Sequence, residues 1–291
     1  MSDSDSDGDG ERPELSPAVL ALLEQHLQRG KDATAGAGPA AVGVLMNASP
    51  GEEVGGDMLF GDDYHNNKKF VLKEYWDERF KTEESYDWLL TLDDVEEHLL
   101  PLLPCTNSRI LMVGCGNSSL SRDLYELGYT NITNIDFSEV VIRKMAQRHA
   151  ETHPLMGWIV ADMTDMTAQF PASGLFDVII DKASMDALVV VEEDVWNPQE
   201  TVIENVHRYL SECSRLLDSK AGSRMVQITF HQPHFRSKYL SGARQLQLSG
   251  EAATGSSTSI DSGYSGVYRW ALSHSTVASN VFDYFLFVMD R

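Results

Sequence analysis

The sequence predicts an α/β fold in which a seven-stranded, mainly parallel sheet is covered by helices on both faces. Two observations carry this prediction. From about residue 62 onward, short apolar runs of strand length alternate with segments whose apolar residues recur at helical spacing. Near the end of the chain, two further apolar runs can form a closing antiparallel hairpin.

The elements follow one another in an order that favours parallel pairing. The first strands are expected near 109–113, 132–136, 157–161 and 175–180, with helices near 119–127, 138–150 and 199–217. The last strands are "RMVQITF" (224–230) and the hairpin of "GVYRWALSH" (266–274) and "VFDYFLFVMD" (281–290). Because parallel strands need crossover connections, the helices between them should lie on the faces of the sheet.

The first 60 residues are expected to lie outside this domain, which we place at 61–291. "MSDSDSDGDGE" is an acidic tract with nothing to bury, so it should be disordered. "LSPAVLALLEQHLQRG" predicts a short helix that Ser16 can cap and Gly30 can end, and a glycine- and alanine-rich stretch with linker composition follows. Within the domain, residues 241–265 have the composition of a variable loop.

The chain is acidic beyond its N-terminal tract. Its formal net charge is -21, and without the first eleven residues it still holds 39 acids and 23 bases, a charge of -16. A field of this sign repels phosphate backbones and attracts basic proteins. We therefore expect a basic protein as partner and no nucleic acid as substrate; the alternative is that the acidity only keeps the protein soluble.

Composition also excludes several classes of protein. The longest apolar runs are too short to span a bilayer, and the N-terminus is acidic where a signal peptide is basic, so we expect no membrane association and a cytoplasmic monomer. Cys105, Cys115 and Cys213 have no paired spacing, and the histidines are not clustered. Neither a disulfide framework nor a metal site is predicted.

The stretch "RILMVGCGNSSLSRDLYELGYTNITNID" carries the first functional signal. Gly114 and Gly116 let the backbone turn off the first strand and approach a ligand closely. Ser118 or Ser119 can cap the helix that follows. Asp136 ends the next strand at the same edge of the sheet, where its carboxylate can accept hydrogen bonds from ribose hydroxyls. This Rossmann-like pattern indicates an adenine–ribose cofactor.

Two cofactors fit this pattern. A dinucleotide needs a third small residue, glycine or alanine, where this chain has Ser119, whereas S-adenosylmethionine carries no phosphate and tolerates the looser pattern. The segment "VADMTD" favours S-adenosylmethionine. Asp162 follows the third strand and could accept from the adenine amino group while the backbone of Met163 addresses the ring edge. Asp162 could also be an ordinary loop acid or a helix cap.

The chain resembles the seven-strand S-adenosylmethionine-dependent methyltransferases in five segments: "EYWDERF", "YDWLL", "LMVGCGNSSLSRDLYELGYTNITNIDFSEVVIRKM", "ADMTDM" and "FDVIIDKASMDALV". Within that family it is similar to the eukaryotic subgroup that methylates lysines of translation elongation factor 1-alpha, which includes a dual-function relative. The resemblance covers about residues 68 to 240 and continues through the final hairpin. It implies an enzyme that uses S-adenosyl-L-methionine.

The resemblance implies cofactor contacts outside the glycine turn, from Trp76, Phe80, Trp88, Phe137 and Lys182. Tryptophan faces do attract a sulfonium cation, although Trp76 and Phe80 also have the spacing of a core stripe. Lys182 could instead be a surface charge or a partner of Asp181. Ala183 and Ser184 stand where the family usually has glycine and threonine, and we expect the turn to survive these changes.

Methyl transfer to a lysine requires alignment and a neutral amine, and no acid. Carboxylates can guide the lysine cation to the site before it loses its proton. Asp181 and Asp186 are the candidates for such an acidic substrate mouth, and each could instead form a structural salt bridge. No N-P-P-[YF] tetrapeptide follows the fourth strand, which disfavours methylation of amides or adenine amino groups.

We therefore expect a protein-lysine N-methyltransferase that acts on translation elongation factor 1-alpha. Within the same chemistry, the alternatives are another protein lysine or an N-terminal amine. From other classes, they are a noncatalytic binding module on this fold and a dinucleotide-dependent oxidoreductase, against which Ser119 and the "VADM" segment count.

Overall fold

The computed structural model describes residues 67–192, 194–248, 267–279 and 283–291. Its centre is one sheet of seven strands in the order β3-β2-β1-β4-β5-β7-β6. The strands are β1 (Ile110–Val113), β2 (Ile132–Asp136), β3 (Gly157–Val160), β4 (Val178–Lys182), β5 (Arg224–Thr229), β6 (Ala271–Val277) and β7 (Tyr284–Asp290). Strands β1 to β5 pair in parallel, whereas β7 is antiparallel to both β5 and β6. The predicted fold class is confirmed.

Eight α-helices within the described residues accompany the sheet. They are α1 (Lys73–Thr82), α2 (Leu92–Leu99), α3 (Leu120–Glu126), α4 (Glu139–His149), α5 (Ser184–Val189), α6 (Glu200–Leu216), α7 (Pro233–Leu240) and α8 (Ala243–Leu248). Short 3-10 turns at Lys68–Val71 and Leu100–Leu102 precede α1 and follow α2. None of the helices in this part of the chain is both long and apolar enough to cross a membrane.

Both faces of the sheet are buried at its central strands β1, β4 and β5. In β1, Leu111 and Val113 belong to a core cluster that includes buried residues of α5, α6 and α7, whereas Ile110 and Met112 belong to a second cluster with α1, α2, α3 and α4. Successive side chains of a strand point to opposite faces, so a strand covered on both faces must be apolar throughout. This is why β1 ("ILMV") and the first three residues of β4 ("VII") stand out in the sequence as continuous apolar runs.

The fourth strand begins later than predicted, at Val178 instead of residue 175. Gly174 N and Phe176 N donate to Arg215 O and Leu216 O at the end of α6, at 3.0 and 3.1 Å. The backbone of residues 174–176 is thus hydrogen-bonded to the end of α6 and not to a neighbouring strand. The predicted start of the strand was wrong because apolar content does not show which backbone groups a segment pairs with.

Other differences lie in short elements. Residues 243–248 of the predicted variable loop form α8, while 249–266 and the N-terminal tract, helix and linker of residues 1–60 lie outside the described residues. Strand β6 begins at Ala271, later than predicted, because Arg269 has φ 58° and interrupts the extended backbone just before it. Trp270 is 1% exposed, and its Nε1 donates to Leu240 O on α7 at 2.8 Å. Helices α2, α5, α7 and α8 are absent from the prediction because about two turns carry too little periodicity to be recognised.

Candidate active site

A cavity of about 750 Å³ lies at the carboxyl ends of the parallel strands, where ligands bind in open α/β sheets. Its lining includes every residue predicted from the sequence to contact a cofactor: Trp76, Phe80, Trp88, Gly114, Gly116, Asp136, Phe137, Asp162, Met163 and Lys182. The structure therefore brings the predicted set together at one place. Their individual roles in cofactor binding stay predictions.

The turn after β1 requires its two glycines. Gly114 and Gly116 have φ values of 55° and 51°, in the left-handed region that other residues enter only at a cost. A Cβ added to Gly114 would lie 2.3 Å from Ser184 Oγ, which donates to Val113 O at 2.7 Å. The α5 N-terminus thus packs directly on the turn, and its serine hydrogen-bonds the end of β1.

The turn after β4 is left-handed as well. Ala183 has φ 70°, a conformation that favours glycine, which the family resemblance led us to expect at this position. For an alanine this conformation costs about 1 kcal/mol, and the turn is nevertheless kept. Ser184 N donates to Asp181 Oδ1 at 2.8 Å, and Ala183 N donates to Ile228 O on β5 at 3.1 Å. These bonds hold the backbone in the strained geometry.

Asp136 stands at the end of β2, and only 6% of it is exposed. Its Oδ2 accepts from Gly116 N at 3.0 Å, and its Oδ1 accepts from Ser138 N at 2.9 Å. Burial raises the pKa of Asp136 to about 6, against the lowering effect of these two donors. Each carboxylate oxygen retains a second acceptor position, so the side chain can receive two further hydroxyl donors from the cavity.

Asp162 and Met163 follow β3 at the cavity wall. Asp162 is exposed, and its Oδ1 accepts from both Thr164 N and Thr164 Oγ1 at 2.8 Å. This Asx-type turn is the ordinary loop role that the sequence left open. The Oδ2 atom is not used in that turn, so the geometry also accommodates an acceptor for the adenine amino group.

One wall of the cavity is aromatic. The rings of Trp76 and Phe80 stack at a centroid distance of 5.6 Å and an angle of 26°, and Trp88 meets Trp76 edge-on at 5.9 Å. Trp76 Nε1 donates to Phe70 O at 2.8 Å, which fixes the ring. Phe80 is 2% exposed, and the edge of its ring lies beside the glycine turn. Trp76 and Phe80 therefore belong both to the hydrophobic core and to the wall of the cavity.

Asp87 is a site residue that the sequence analysis missed. Its carboxylate accepts from Ser118 Oγ, from Ser119 N at 3.2 Å, and from Lys182 Nζ at 3.1 Å. The segment before α2 therefore contributes to the N-terminus of α3 together with Ser118, whose Oγ accepts from Leu120 N at 3.2 Å as the sequence predicted for Ser118 or Ser119. The only signal was its place beside Trp88 in "YDWLL", and nothing local shows which distant groups a loop carboxylate will meet.

Lys182 is held inside the protein by this carboxylate. The lysine side chain is 5% exposed and Asp87 is 16% exposed, and Lys182 Nζ also donates to Trp88 O at 2.8 Å. Burial lowers the pKa of Lys182, although the charge of Asp87 opposes the shift. Burial also acts to raise the pKa of Asp87, but Lys182 and the two serines outweigh it, so that pKa lies below its usual range. The 3.1 Å separation of Lys182 Nζ and Asp87 Oδ1 is that of an ion pair.

The predicted acidic substrate mouth of Asp181 and Asp186 is wrong. They are 0% and 1% exposed, and neither is among the residues that line the cavity. Asp181 caps α5 and accepts from Tyr209 Oη at 2.8 Å, whereas Asp186 forms an ion pair with the equally buried Arg236. Burial raises the pKa of Asp186 to about 6 despite that arginine. Asp186 thus forms the structural salt bridge that the sequence left open as an alternative, whereas Asp181 is held by hydrogen bonds alone.

The lining has the chemistry that S-adenosylmethionine needs. Asp136 offers acceptors for ribose hydroxyls, the aromatic wall suits a sulfonium cation, and the glycine turn leaves backbone open to the ligand. A Cβ added to Gly116 would already touch Phe80 at 3.5 Å, so a side chain there would take up the space between turn and wall. A seven-stranded sheet of this order with such a site defines the class of S-adenosylmethionine-dependent methyltransferases.

Comparison with known proteins agrees with this class. A family described as "Methyltransferase domain" matches residues 110–217. EEF1A lysine methyltransferase 4 of Mus musculus is 33% identical over 228 residues, which cover 77% of this chain and 77% of that protein. The protein of the same name from Bos taurus is 30% identical, covering 75% of this chain and 74% of its own. Our chain belongs to the family of methyltransferases that contains these proteins.

One further relative matches over a smaller share of its length, and one solved structure is similar at low sequence identity. The eEF1A lysine and N-terminal methyltransferase of Bos taurus is 35% identical over 60% of this chain, but the match spans only 23% of that longer protein. Among solved structures, magnesium protoporphyrin IX methyltransferase from Synechocystis PCC 6803 aligns over 82% of this chain and 100% of its own, with 13% identity and a TM-score of 0.42.

Proposed function

We propose that this protein is an S-adenosyl-L-methionine-dependent protein-lysine N-methyltransferase that acts on translation elongation factor 1-alpha. The observation that carries the proposal is the 33% identity with a mouse protein named for that activity, over 77% of both chains. The cavity described above supplies the chemistry. The acceptor is a protein, and its basic surface would complement the net charge of -21.

We assign the cofactor-binding roles as follows. Asp136 accepts from the ribose hydroxyls, and the backbone from Gly114 to Gly116 lies along the methionine part. Asp162 and the backbone of Met163 address the adenine ring. Phe137, Lys182 and the aromatic residues Trp76, Phe80 and Trp88 complete the enclosure, all of them at the cavity surface.

The residues of the chain act mainly by positioning. The bound cofactor supplies an electrophilic methyl group on a sulfonium, which an amine can displace in line without an acid. The aromatic wall excludes water from this path and is itself fixed by the bond from Trp76 to Phe70 O. Of the described residues that line the cavity, Asp136 and Asp162 are the carboxylates, and we assign removal of the lysine proton to water.

We also propose that the protein works in the cytoplasm, where a translation factor is available as acceptor. The three cysteines have no disulfide partner within the described residues, which fits a reducing compartment.

The direct test is methylation of purified elongation factor 1-alpha with S-adenosylmethionine, followed by intact-mass and fragment-ion analysis. We expect added methyl groups on a lysine side chain, and none with Asp136→Ala. Methylation only at the N-terminal amine, or only of another protein in a lysate, would replace the proposed acceptor. Cofactor binding without any methylated protein in a lysate would support a noncatalytic module.

A further inference from the structure

Trp196 is exposed in a way that points to a docking role. It lies between α5 and α6, and 65% of it is exposed. Its backbone is held firmly: Trp196 N donates to Asp194 Oδ1 at 2.8 Å, and Trp196 O accepts from Arg244 Nη1 at 2.9 Å. Arg244 is itself 5% exposed. The fold thus uses a buried arginine to fix a short loop whose largest apolar side chain faces solvent.

Three residues of α7 surround this ring. Phe235 meets Trp196 edge-on at a centroid distance of 4.9 Å, and His234 lies at 6.1 Å. Lys238 Nζ stands 5.5 Å from the centre of the indole ring. We call Trp196, His234, Phe235 and Lys238 the aromatic patch. Aromatic residues are enriched at protein interfaces, and tryptophan is among the residues that contribute most binding energy there, so Trp196 and Phe235 are the candidates for the contact.

The aromatic patch is connected along the chain to the lining of the cavity. Val191, five residues before Trp196, and Leu188 on α5 line the cavity. Helix α7 begins at Pro233, just beyond the carboxyl end of β5. Both parts of the patch therefore follow strands whose ends lie at the edge of the sheet where the cavity lies, and an acceptor bound there would approach that edge.

An exposed aromatic surface can bind either a second copy of the chain or another protein, and charge distinguishes the two. Two copies of this chain would each bring a net charge of -21, so self-association is opposed by repulsion. A basic protein is attracted by the same field. We infer that the aromatic patch is the surface on which the basic acceptor protein docks, an inference that rests on the proposed function.

The test compares Trp196→Ser with Leu155→Ser. Leu155 is equally exposed, at 66%, but it precedes β3 and so lies at the opposite, amino edge of the sheet. We expect Trp196→Ser to raise KM for intact elongation factor 1-alpha by at least about thirtyfold, the change that corresponds to the smallest loss counted as an interface hot spot. The cofactor dissociation constant, the unfolding midpoint and kcat at saturating acceptor should stay unchanged, and Leu155→Ser should match the wild type throughout.

Each outcome bears on the inference. An unchanged KM in Trp196→Ser, with an active wild type, would overturn docking at the patch and leave the proposed function standing. Sedimentation of wild type as a dimer that Trp196→Ser dissociates would assign the patch to self-association instead. A wild type that binds cofactor but does not methylate the factor would overturn the proposed function, and the docking inference would fall with it.

Discussion

The carboxylate of Asp136 accepts backbone N–H groups from the glycine turn and from the start of α4, while its free acceptor positions face the cavity. A buried charge normally costs folding free energy, and its raised pKa reflects that cost. The same burial makes each hydrogen bond to a ligand stronger than it would be in water. The same carboxylate can therefore hold the glycine turn through its backbone donors and offer acceptors to ribose hydroxyls.

Asp136→Ala should therefore abolish most of the cofactor affinity. The ribose hydroxyls would lose their charged acceptor, a loss of about 2 to 4 kcal/mol. Calorimetric titration with S-adenosylmethionine measures it, and Glu151→Ala, an exposed acid beyond α4, is the control. Equal affinities for the two variants would mean that the ribose is held elsewhere.

The pH dependence of cofactor binding should follow the same carboxyl group. Because the pKa of Asp136 is about 6, protonation removes acceptors as the pH falls, so the dissociation constant should rise from about pH 7.5 to about pH 5.5. Its contribution to stability has the opposite sign: it is present below the unfolded value of 3.8 and is lost as the pH rises through about 6. Titration of Asp136→Asn, in which the pH effect on affinity should vanish, separates this group from Asp186, whose pKa is similar.

The two glycines of the turn should differ in their tolerance of alanine. Both have positive φ and would lose about 1 kcal/mol for that reason. Gly114→Ala also forces its Cβ to within 2.3 Å of Ser184 Oγ, which adds about 1 to 3 kcal/mol, whereas the nearest atom to a Cβ at Gly116 is 3.5 Å away. Denaturant unfolding without cofactor should show the larger loss for Gly114→Ala. Equal losses would contradict the close packing of α5 on the turn.

Whole elements are joined across the cavity by polar contacts. The segment of residues 67–91, which contains α1, contributes the aromatic wall and is bonded at several points to the elements that follow β1 and β2. Asn117 Nδ2 donates to Glu83 Oε2 at 3.0 Å, Lys144 Nζ to Glu83 O at 2.9 Å, and Ser138 Oγ to Asp77 Oδ1 at 2.5 Å. The aromatic wall is thus positioned by groups on the elements that it covers. Asp87, in the same segment, adds contacts to Ser118, Ser119 and Lys182.

Asp87→Ala should release this segment and leave Lys182 buried without its carboxylate. Breaking a buried ion pair from one side costs about 3 kcal/mol, and the cofactor affinity should fall as the position of Trp88 is lost. Thermal unfolding and calorimetric titration measure the two effects, with Asp93→Ala on the exposed face of α2 as control. If Asp87→Ala kept both properties of the wild type, the pair would have no role in positioning the wall.

At the scale of the molecule, the excess of acids acts over distances longer than any contact. A net charge of -21 should raise the encounter rate with a basic acceptor, and salt should screen that attraction. The cofactor is small and binds through local contacts, so its affinity should respond much less. The acceptor and the cofactor therefore differ in the range of the forces that bring them to the site.

We expect kcat/KM for intact elongation factor 1-alpha to fall at least about tenfold when ionic strength rises from about 0.05 M to about 0.5 M. The cofactor dissociation constant over the same series is the control. Denatured factor and short lysine peptides should be poorer substrates, because they lack the folded basic surface. Equal rates on peptides and on the intact factor, without salt dependence, would contradict recognition of a folded basic protein.

Much of this architecture was predictable because its signals are local or periodic. Strands β1, β2, β3 and β5 were placed to within one or two residues, since each contains a short apolar run between segments of helical or turn composition. Gly114, Gly116 and Asp136 were found because a turn with positive φ selects glycine, and because parallel strands bring their carboxyl ends to one edge. The aromatic wall came from the family resemblance, and its spacing alone would equally have fitted a core.

The amino-acid sequence by itself determined the sheet, the glycine turn and the acid beside it, because these depend on residues close together along the chain. Only the tertiary structure decided which partners the other charged side chains near the site bind. Asp181 and Lys182 end β4, and Asp186 lies on the helix that follows. The two aspartates nevertheless bond to the buried Tyr209 and Arg236, while Asp87 reaches Lys182 from 95 residues away. A carboxylate is stabilised by whichever donors the packed helices bring to it, and those donors are set by the three-dimensional arrangement and not by neighbours in sequence.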